Sequence, residues 1–197
     1  MIGSQIIRLK TSKSTNDDAH FWAEKNVPDG TVVVAETQTL GRGRRGASWF
    51  SPYGGLYTSI ILRPGNGIQI ESSAYEKFAT IAVYETVVNF SSKSVTIKPP
   101  NDILIQNQKV AGILVETRYS GMVINYIVIG IGINVSSDIL HFPPILQNSA
   151  ITINETEINK YSTREIFDKL INILNKWYDI LITEGPLNII KSWDNMI

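Results

Sequence analysis

The chain has 197 residues, of which 43% are hydrophobic and 18% charged, and its eighteen basic and eighteen acidic side chains cancel to a net charge of zero. These proportions exclude an intrinsically disordered chain and argue against a general nucleic-acid binder, which would carry an excess of basic residues. The lack of cysteine excludes disulfides, thiolate nucleophiles and cysteine-ligated zinc. The length is that of one compact domain, so we expect residues 1–197 to form a single domain.

The first residues lack the basic segment and apolar core of a secretory signal, and no apolar run approaches the ~18 residues that span a bilayer. We therefore expect a cytoplasmic protein that does not bind a membrane. His20 and His141 are far apart in sequence, and neither belongs to a metal-binding pattern such as H-E-x-x-H. Both are interpreted as structural residues.

The N-terminal third predicts a helix, a strand, a loop and a second strand. Ser14 begins a predicted helix that runs to about residue 26, with Asp17 in the capping-box position. A β-branched run over residues 31–35 predicts a buried strand. Residues 39–49 contain three glycines and three arginines without any periodicity, which predicts a loop. The next strand is predicted over 56–62 and ends in a turn at 63–65.

The remainder of the chain predicts two long helices around a set of strands. Apolar residues at helical spacing predict a helix over about 71–89. Segments rich in valine and isoleucine predict strands over 94–98, 103–106, 109–117 and 125–135. A second helical stripe runs from Ile166 to Leu181, and Gly185-Pro186 ends it before a short tail. Hairpin-connected strands with a few long helices predict an α+β domain, in which helices back a mixed β-sheet.

The loop at residues 39–49 is the most unusual segment. No acidic residue occurs from Thr37 to Ile70, so we expect its arginines, and Arg63 after it, to be free to bind an external anion. Glycines let backbone amides approach a phosphate, and guanidinium groups supply bidentate, charge-assisted hydrogen bonds. Two alternatives remain open at this point: a mobile surface loop, or a loop that binds single-stranded nucleic acid with Trp49 as a stacking platform.

A second group of polar residues surrounds the predicted hairpin between residues 101 and 116. Hairpin geometry can bring Asp102 and Lys109 to the same end of a sheet, where the ammonium group would neutralise phosphate charge and the carboxylate would hold Mg²⁺. The alternative is that Asn101-Asp102 is only a hairpin corner. Gly130 and Gly132 lie within a predicted strand and leave room for close approach to its backbone. Neither a G-x-G-x-x-G fingerprint nor a P-loop occurs in the sequence.

Taken together and in order, these segments resemble the catalytic domain of biotin–protein ligases. Ser14-Thr15-Asn16 is similar to the family's Ser-Thr-Asn segment, and Gly41 to Trp49 resembles its G-R-G-R-x-G loop ending in tryptophan. Asn101-Asp102 with Lys109 to Glu116 resembles its P-N-D…K-x-A-G-I-L-x-E block, and Gly130-x-Gly132-x-Asn134 completes the set. The resemblance covers roughly residues 10–135 and, more loosely, the helical remainder. It implies a class II aminoacyl-tRNA synthetase/biotin ligase-like catalytic fold.

The resemblance implies that biotin is adenylated with ATP and Mg²⁺ and is then transferred to a lysine of a biotin carboxyl carrier protein. The catalytic residues would be Lys109, Arg42 and Arg44, and Asp102 would bind the metal. Lys109 would bridge the biotin carboxylate and the α-phosphate, the two arginines would hold phosphates, and Asn134 would place the adenosine. The full ligand-binding set would be Ser14, Thr15, Asn16, Gln38, Gly41, Arg42, Arg44, Trp49, Asn101, Lys109, Gly112, Ile113, Gly132 and Asn134.

The sequence also departs from the family pattern. Pro99 stands where relatives usually have tryptophan, and Ala47-Ser48 replaces a position that is often basic. The chain stops at Ile197, where relatives usually continue into a small β-barrel, and it has no N-terminal helix-turn-helix, so no DNA partner is expected. A homodimer is left open.

Two other functions remain as alternatives. A lipoate–protein ligase would share the fold and the adenylation chemistry, but that family lacks this G-R-G-R loop. A non-catalytic biotin sensor would have no need of phosphate ligands, yet Lys109, Arg42 and Arg44 are all present.

Overall fold

The structure is a computed structural model that describes residues 1–64 and 70–197. Gly65, the last residue of the turn predicted after residue 62, lies outside the described residues. Within those residues the chain forms seven strands: β1 (Ile6–Ser12), β2 (Thr31–Gln38), β3 (Gly55–Leu62), β4 (Val95–Lys98), β5 (Asp102–Ile105), β6 (Gln108–Ser120) and β7 (Val123–Asn134). The same part of the chain forms six α-helices: α1 (Thr15–Glu24), α2 (Ser72–Phe90), α3 (Pro144–Gln147), α4 (Ile153–Thr156), α5 (Thr163–Thr183) and α6 (Pro186–Asp194).

The strands form one mixed sheet in the order β1-β2-β3-β7-β6-β5-β4. Only the β1–β2 pair is parallel among the described strands, and every other neighbouring pair is antiparallel. The predicted α+β architecture is therefore confirmed. All eight residues of β3 are buried, because this central strand is covered on both faces.

The two faces of the sheet have different coverings. On one face, α2 and α5 pack over the odd-numbered isoleucines of β7, from Ile127 to Ile133, and form the main hydrophobic core. On the other face, α1 packs against β2, β3 and β7 through a smaller cluster that includes Ala19, Ala23 and Val128. The β6 residues on the α1 face are only half-buried. The β6 end of this face is therefore available for a binding site.

The start of the chain differs from the sequence-based expectation in two ways. The strand β1 was not predicted, because it is an edge strand whose pattern is largely exposed and carries little apolar periodicity. The helix α1 ends at Glu24 rather than at about residue 26, and Ser14 makes no side-chain capping bond. Asp17, expected to complete a capping box, pairs with Arg42 instead.

The predicted tail after Gly185 is wrong, because α6 occupies it. Gly185 has a φ of 86°, a left-handed conformation that ends α5 without a steric penalty. Pro186 then stands at the first turn of the next helix, where its missing amide costs nothing. The glycine and proline therefore separate two helices instead of ending the fold. Across residues 1–64 and 70–197, none of the helices combines the length and the apolarity that crossing a bilayer requires.

The docking of α6 predicts a contrast between two of its apolar residues. Ile189 is fully buried, whereas Leu187 is 69% exposed. Ile189→Ala is expected to lower the free energy of unfolding by about 2–4 kcal/mol, because it leaves a cavity between α6 and the core. The matched control Leu187→Ala is expected to change it by less than about 0.5 kcal/mol. Urea unfolding followed by circular dichroism measures both, and equal effects would show that α6 does not dock as described.

Candidate active site

A cavity of about 460 Å³ lies on the α1 face of the sheet. It is bounded by the N-terminus of α1, by the loop at residues 41–49, called here the arginine–glycine loop, and by β5, β6 and β7. Its lining contains twelve of the fourteen ligand-binding residues expected from the sequence, together with Asp102: Ser14, Thr15, Asn16, Gln38, Arg42, Arg44, Trp49, Asn101, Lys109, Gly112, Ile113 and Gly132. Residues up to 118 positions apart in sequence are thus brought together.

The floor of the cavity consists of glycines on neighbouring strands. Gly112 of β6 pairs directly with Gly132 of β7, and Gly130 lies two residues away on the same face. Trp49 lies on this floor: a Cβ atom added at Gly132 would be 2.5 Å from Trp49 Nε1, and one at Gly112 would be 3.0 Å from Trp49 Cζ3. A Cβ at Gly130 would collide with the Asn16 side chain. The expectation of a close approach to this backbone is confirmed, and the approaching groups belong to the protein itself.

Lys109 stands at one end of the cavity, near the start of β6. Its Nζ lies 2.6 Å from Asp102 Oδ1 and 5.2 Å from the centre of the Trp49 ring. Its backbone is fixed on both sides, since its amide donates to Ser149 O at 2.8 Å and its carbonyl accepts from the amide of Ile151 at 3.1 Å. Lys109 and Asp102 are therefore in contact, as predicted, but through the reach of the lysine side chain, since Asp102 pairs with Gly112 and Lys109 pairs with Leu104 nearer the hairpin turn.

Arg44 extends from the arginine–glycine loop toward the same end. Its Nη1 donates to Asn101 Oδ1 at 3.3 Å, and Asn101 Nδ2 donates to the carbonyl of Ile113 on β6. Asn101 is buried, so its amide is held in one orientation. The hydrogen-bond partner of Arg44 is thus a neutral amide rather than a carboxylate.

The expectation that the arginines lack carboxylate partners is wrong for Arg42. Its guanidinium pairs with Asp17 of α1 and, at 3.2 Å, with Glu116 of β6. The hydrogen bond to Asp17 and the charge of Glu116 raise the pKa of Arg42. Arg63 is also engaged, because it donates to the carbonyls of Ala23 and Val27 away from the cavity. The carboxylates that pair with Arg42 lie 25 and 74 positions away in sequence, so no local pattern predicts the pairing.

The opposite end of the cavity is a hydrogen-bonded group of side chains. Gln38 Oε1 accepts from the backbone amide of Thr15 at 2.8 Å and from its hydroxyl at 3.1 Å. Gln38 Nε2 donates to Ser51 Oγ at 2.8 Å. The Ser59 hydroxyl donates to Asn16 Oδ1 at 2.6 Å. These bonds fix the positions of the side chains that line this end.

Glu116 is a site residue that the sequence reasoning did not assign. It accepts from Asn16 Nδ2 at 2.7 Å and from His20 Nε2 at 3.3 Å, in addition to its pairing with Arg42. The hydrogen bond from His20 lowers the pKa of Glu116 to about 2, and the hydrogen bond from Asn16 and the charge of Arg42 act in the same direction. Burial acts in the opposite direction. The period of two along β6, from Gly112 through Leu114 to Glu116, would have placed it on the cavity face.

Two expected residues, Gly41 and Asn134, do not line the cavity. Gly41 begins the arginine–glycine loop and lies against its other end, since an added Cβ would be 2.5 Å from the carbonyl oxygen of Trp49. Asn134 is buried and donates to the carbonyl of Ile151 at 3.2 Å. It lines a smaller adjoining cavity of about 110 Å³ with three aromatic residues, Trp49, Phe50 and Phe142.

Metal-binding capacity at the site is limited to one carboxylate. Asp102 is the only acidic residue that lines the main cavity among residues 1–64 and 70–197. The described part of the chain contains no cluster of three histidine, aspartate or glutamate side chains.

The low pKa of Glu116 predicts a pH-dependent contribution to stability. Because the pKa is about 2 in the folded state and 4.5 ordinarily, ionised Glu116 stabilises the fold above about pH 4.5, and this contribution is lost as the pH falls toward 2. Its side chain is 31% exposed, so solvent screening reduces the effect. We expect Glu116→Gln to lower the free energy of unfolding by about 1–2 kcal/mol at pH 7.

Urea unfolding between pH 7 and pH 2.5 measures this difference, which should shrink below pH 4.5. The control Glu85→Gln removes a surface pairing with Lys176 and is expected to cost less than about 0.5 kcal/mol. A difference between wild type and Glu116→Gln that stays constant with pH would contradict the assignment.

Comparisons with known proteins identify the family to which the chain is similar. The chain is 33% identical to the bifunctional ligase/repressor BirA of Bacillus spizizenii over 99% of its own length, and it spans 60% of the length of that relative. It is 31% identical to the biotin–[acetyl-CoA-carboxylase] ligase of Paracoccus denitrificans, covering 94% of this chain and 78% of the relative.

Among solved structures, the biotin protein ligase from Aquifex aeolicus in complex with biotin and ATP superposes with a TM-score of 0.79 at 28% identity, covering 93% of this chain and 74% of that one. The family model for biotin/lipoate A/B protein ligases matches residues 8–134, which include all of the residues that line the main cavity. The chain therefore belongs to the biotin/lipoate A/B protein ligase family.

Proposed function

We propose that the chain adenylates biotin with ATP and transfers the biotinyl group to a lysine of a biotin carboxyl carrier protein. The observation that carries this proposal is one cavity in which Lys109 and Arg44, two cations, stand at the end of a slot floored by glycine. The Paracoccus relative is named as a biotin–[acetyl-CoA-carboxylase] ligase, and the Aquifex biotin protein ligase is in complex with biotin and ATP. The smaller adjoining cavity with its three aromatic residues suits a planar base.

In the first step, a biotin carboxylate oxygen attacks the α-phosphorus of ATP. An oxygen–phosphorus bond forms, the bond between the α- and β-phosphates breaks, and pyrophosphate leaves with the electron pair. Negative charge accumulates on the phosphate oxygens in the transition state, and fixed cations stabilise it. Lys109 and Arg44 are assigned this role because both border the same end of the cavity.

Biotin is assigned an orientation that follows the polarity of the slot. Its ring system would lie at the end formed by Ser14, Thr15, Asn16 and Gln38, whose amides and hydroxyls match a ring that both donates and accepts hydrogen bonds. The carboxylate would point toward Lys109. Because Trp49 lies on Gly112 and Gly132, the apolar chain of biotin would pack against the indole ring.

Mg²⁺ fits the site with Asp102 as its one protein carboxylate. This ion is usually held by one or two carboxylates, with substrate phosphates and waters as the other ligands, so a single aspartate is sufficient. Asp102 already pairs with Lys109, and it would share its oxygens between the ammonium group and the metal. When bound, Mg²⁺ supplies additional neutralisation of phosphate charge.

In the second step, the neutral amine of the carrier lysine attacks the acyl carbon of biotinyl-5′-AMP. A carbon–nitrogen bond forms, the carbon–oxygen bond to AMP breaks with its electron pair leaving on AMP, the nitrogen releases one proton to solvent, and the product is an amide. The mixed anhydride must stay shielded from water until the carrier arrives. The arginine–glycine loop borders the cavity opposite the sheet and is assigned this shielding role.

Lys109→Ala is expected to lower kcat/KM for adenylate formation by about 10–100-fold, because each lost charge-assisted contact costs about 1.5–3 kcal/mol. The melting temperature should change little, since the side chain is 36% exposed. Pyrophosphate exchange measures the rate, and Lys93→Ala, at an exposed lysine outside the site, is the matched control. Wild-type exchange in the Lys109 variant would remove this residue from the mechanism.

Incubation of the chain with labelled biotin, ATP, Mg²⁺ and a biotin carboxyl carrier domain tests the whole proposal. Label on the carrier lysine is expected, and it should disappear without ATP. Label from lipoate instead of biotin would identify a lipoate ligase, the other substrate in the family description. Biotin binding without any adenylate would indicate a sensor, and either result would contradict the proposal.

A further inference from the structure

We propose that Glu116 is a positioning residue of this site, which acts through Arg42 to fasten the arginine–glycine loop to the sheet. The kinetic part of this inference rests on the proposed function, whereas the structural part does not. Glu116 lies on β6, four residues beyond the floor glycine Gly112, and does not line the cavity itself. Its influence on a ligand must therefore pass through the residues that it holds.

Arg42 attaches the arginine–glycine loop to its neighbouring elements. Three backbone hydrogen bonds are internal to the loop: the Trp49 amide donates to Gly41 O at 2.8 Å, the Gly43 amide to Ala47 O at 2.7 Å, and the Ala47 amide to Arg44 O at 3.0 Å. These bonds shape the loop but do not attach it to the sheet. Arg42 provides an attachment, because Nη2 lies 3.2 and 3.3 Å from the two Glu116 oxygens while Nη1 bonds Asp17. One guanidinium thus connects the loop, α1 and β6.

The Glu116 carboxylate is held in place by residues outside the loop. Asn16 donates to it at 2.7 Å, and His20 Nε2 lies 3.3 Å away. His20 Nδ1 lies 3.2 Å from the Tyr126 hydroxyl, so the tautomer protonated at Nε2 satisfies both partners. A carboxylate that is already oriented loses little conformational entropy when an arginine binds it. The Glu116 carboxylate is therefore already oriented to accept hydrogen bonds from Arg42.

Arg42 and Arg44 have partners of different charge. Arg42 faces two carboxylates, whereas Arg44, two residues further along the loop, faces the neutral Asn101. A phosphate would have to displace at least one carboxylate to engage Arg42 fully, but it can approach Arg44 without competing with a like charge. Fixing Arg42 against Glu116 also fixes the backbone that carries Arg44 beside the cavity.

The kinetic test is a double-mutant cycle between Glu116→Gln and Arg42→Ala. Each single change is expected to raise KM for biotin by about 10–100-fold in pyrophosphate exchange, which corresponds to one lost charge-assisted contact. Because both residues act through one contact, the KM of the double variant should lie within about twofold of the higher of the two single-variant KM values. Losses that multiply would overturn the proposal. Glu116→Asp keeps the charge and should recover part of the loss, whereas a purely packing role predicts no recovery.

Limited proteolysis tests the attachment without any ligand or activity. Trypsin cleavage after Arg44 or Arg45 should be several-fold faster in Glu116→Gln than in wild type. The control Glu85→Gln, which removes the remote pairing with Lys176, should leave this rate unchanged. If Glu116→Gln fails to fold, Asp17→Asn replaces it, since Asp17 is 51% exposed and holds the same guanidinium. Unchanged cleavage in the folded variants would overturn the inference, whereas a wild-type chain without adenylation activity would overturn only the proposed function.

Discussion

Trp49 and Asn16 lie directly on the backbones of β6 and β7, and the site depends on this close approach. It is possible because Gly112, Gly130 and Gly132 present no side chain on that face, while their neighbours in sequence present isoleucines to the opposite core. A β-carbon at Gly132 would displace the indole, and one at Gly130 would displace the amide. The same alternation that builds the hydrophobic core therefore also opens the slot on the other face.

Charge at the site is balanced by residues from different elements. Lys109 pairs with Asp102, and Arg42 pairs with Asp17 and Glu116, so two of the cations in the lining already have acidic partners. Buried or half-buried charges need such partners when they are removed from water. A phosphate that binds here would replace these carboxylates as the partner of Lys109 or Arg42. Its affinity would therefore depend on the difference in free energy between the new ion pairs and the existing ones. Arg44 stands outside this exchange, because its partner is an amide.

Membership of the family accounts for the order of the motifs, and the structure gives the reason for each. The segment at Ser14-Thr15-Asn16 begins α1 beside the glycine floor, and the arginine–glycine loop follows β2 and lies on the same face. Asn101 precedes β5 at the open end of the hairpin formed by β5 and β6, and Lys109 lies near its turn, from which its side chain reaches Asp102. The family description names two compounds, biotin and lipoate, and both carry a carboxylic acid group. The polar end at Gln38 is where recognition of the remaining part of the acid would differ.

The sequence by itself determined the class of fold, the positions of six of the seven strands, the long helices and more than half of the cavity lining. It could do so because these features depend on local periodicity, on glycine and proline, and on motifs in a fixed order. The tertiary structure alone decided three features. The edge strand β1 exists because β2 offers it a parallel partner, and α6 folds because the core buries Ile189 and Trp193. The third is the pairing of Arg42 with Glu116, 74 positions away in sequence, since ion pairs form between residues that folding brings together and no local pattern encodes that distance.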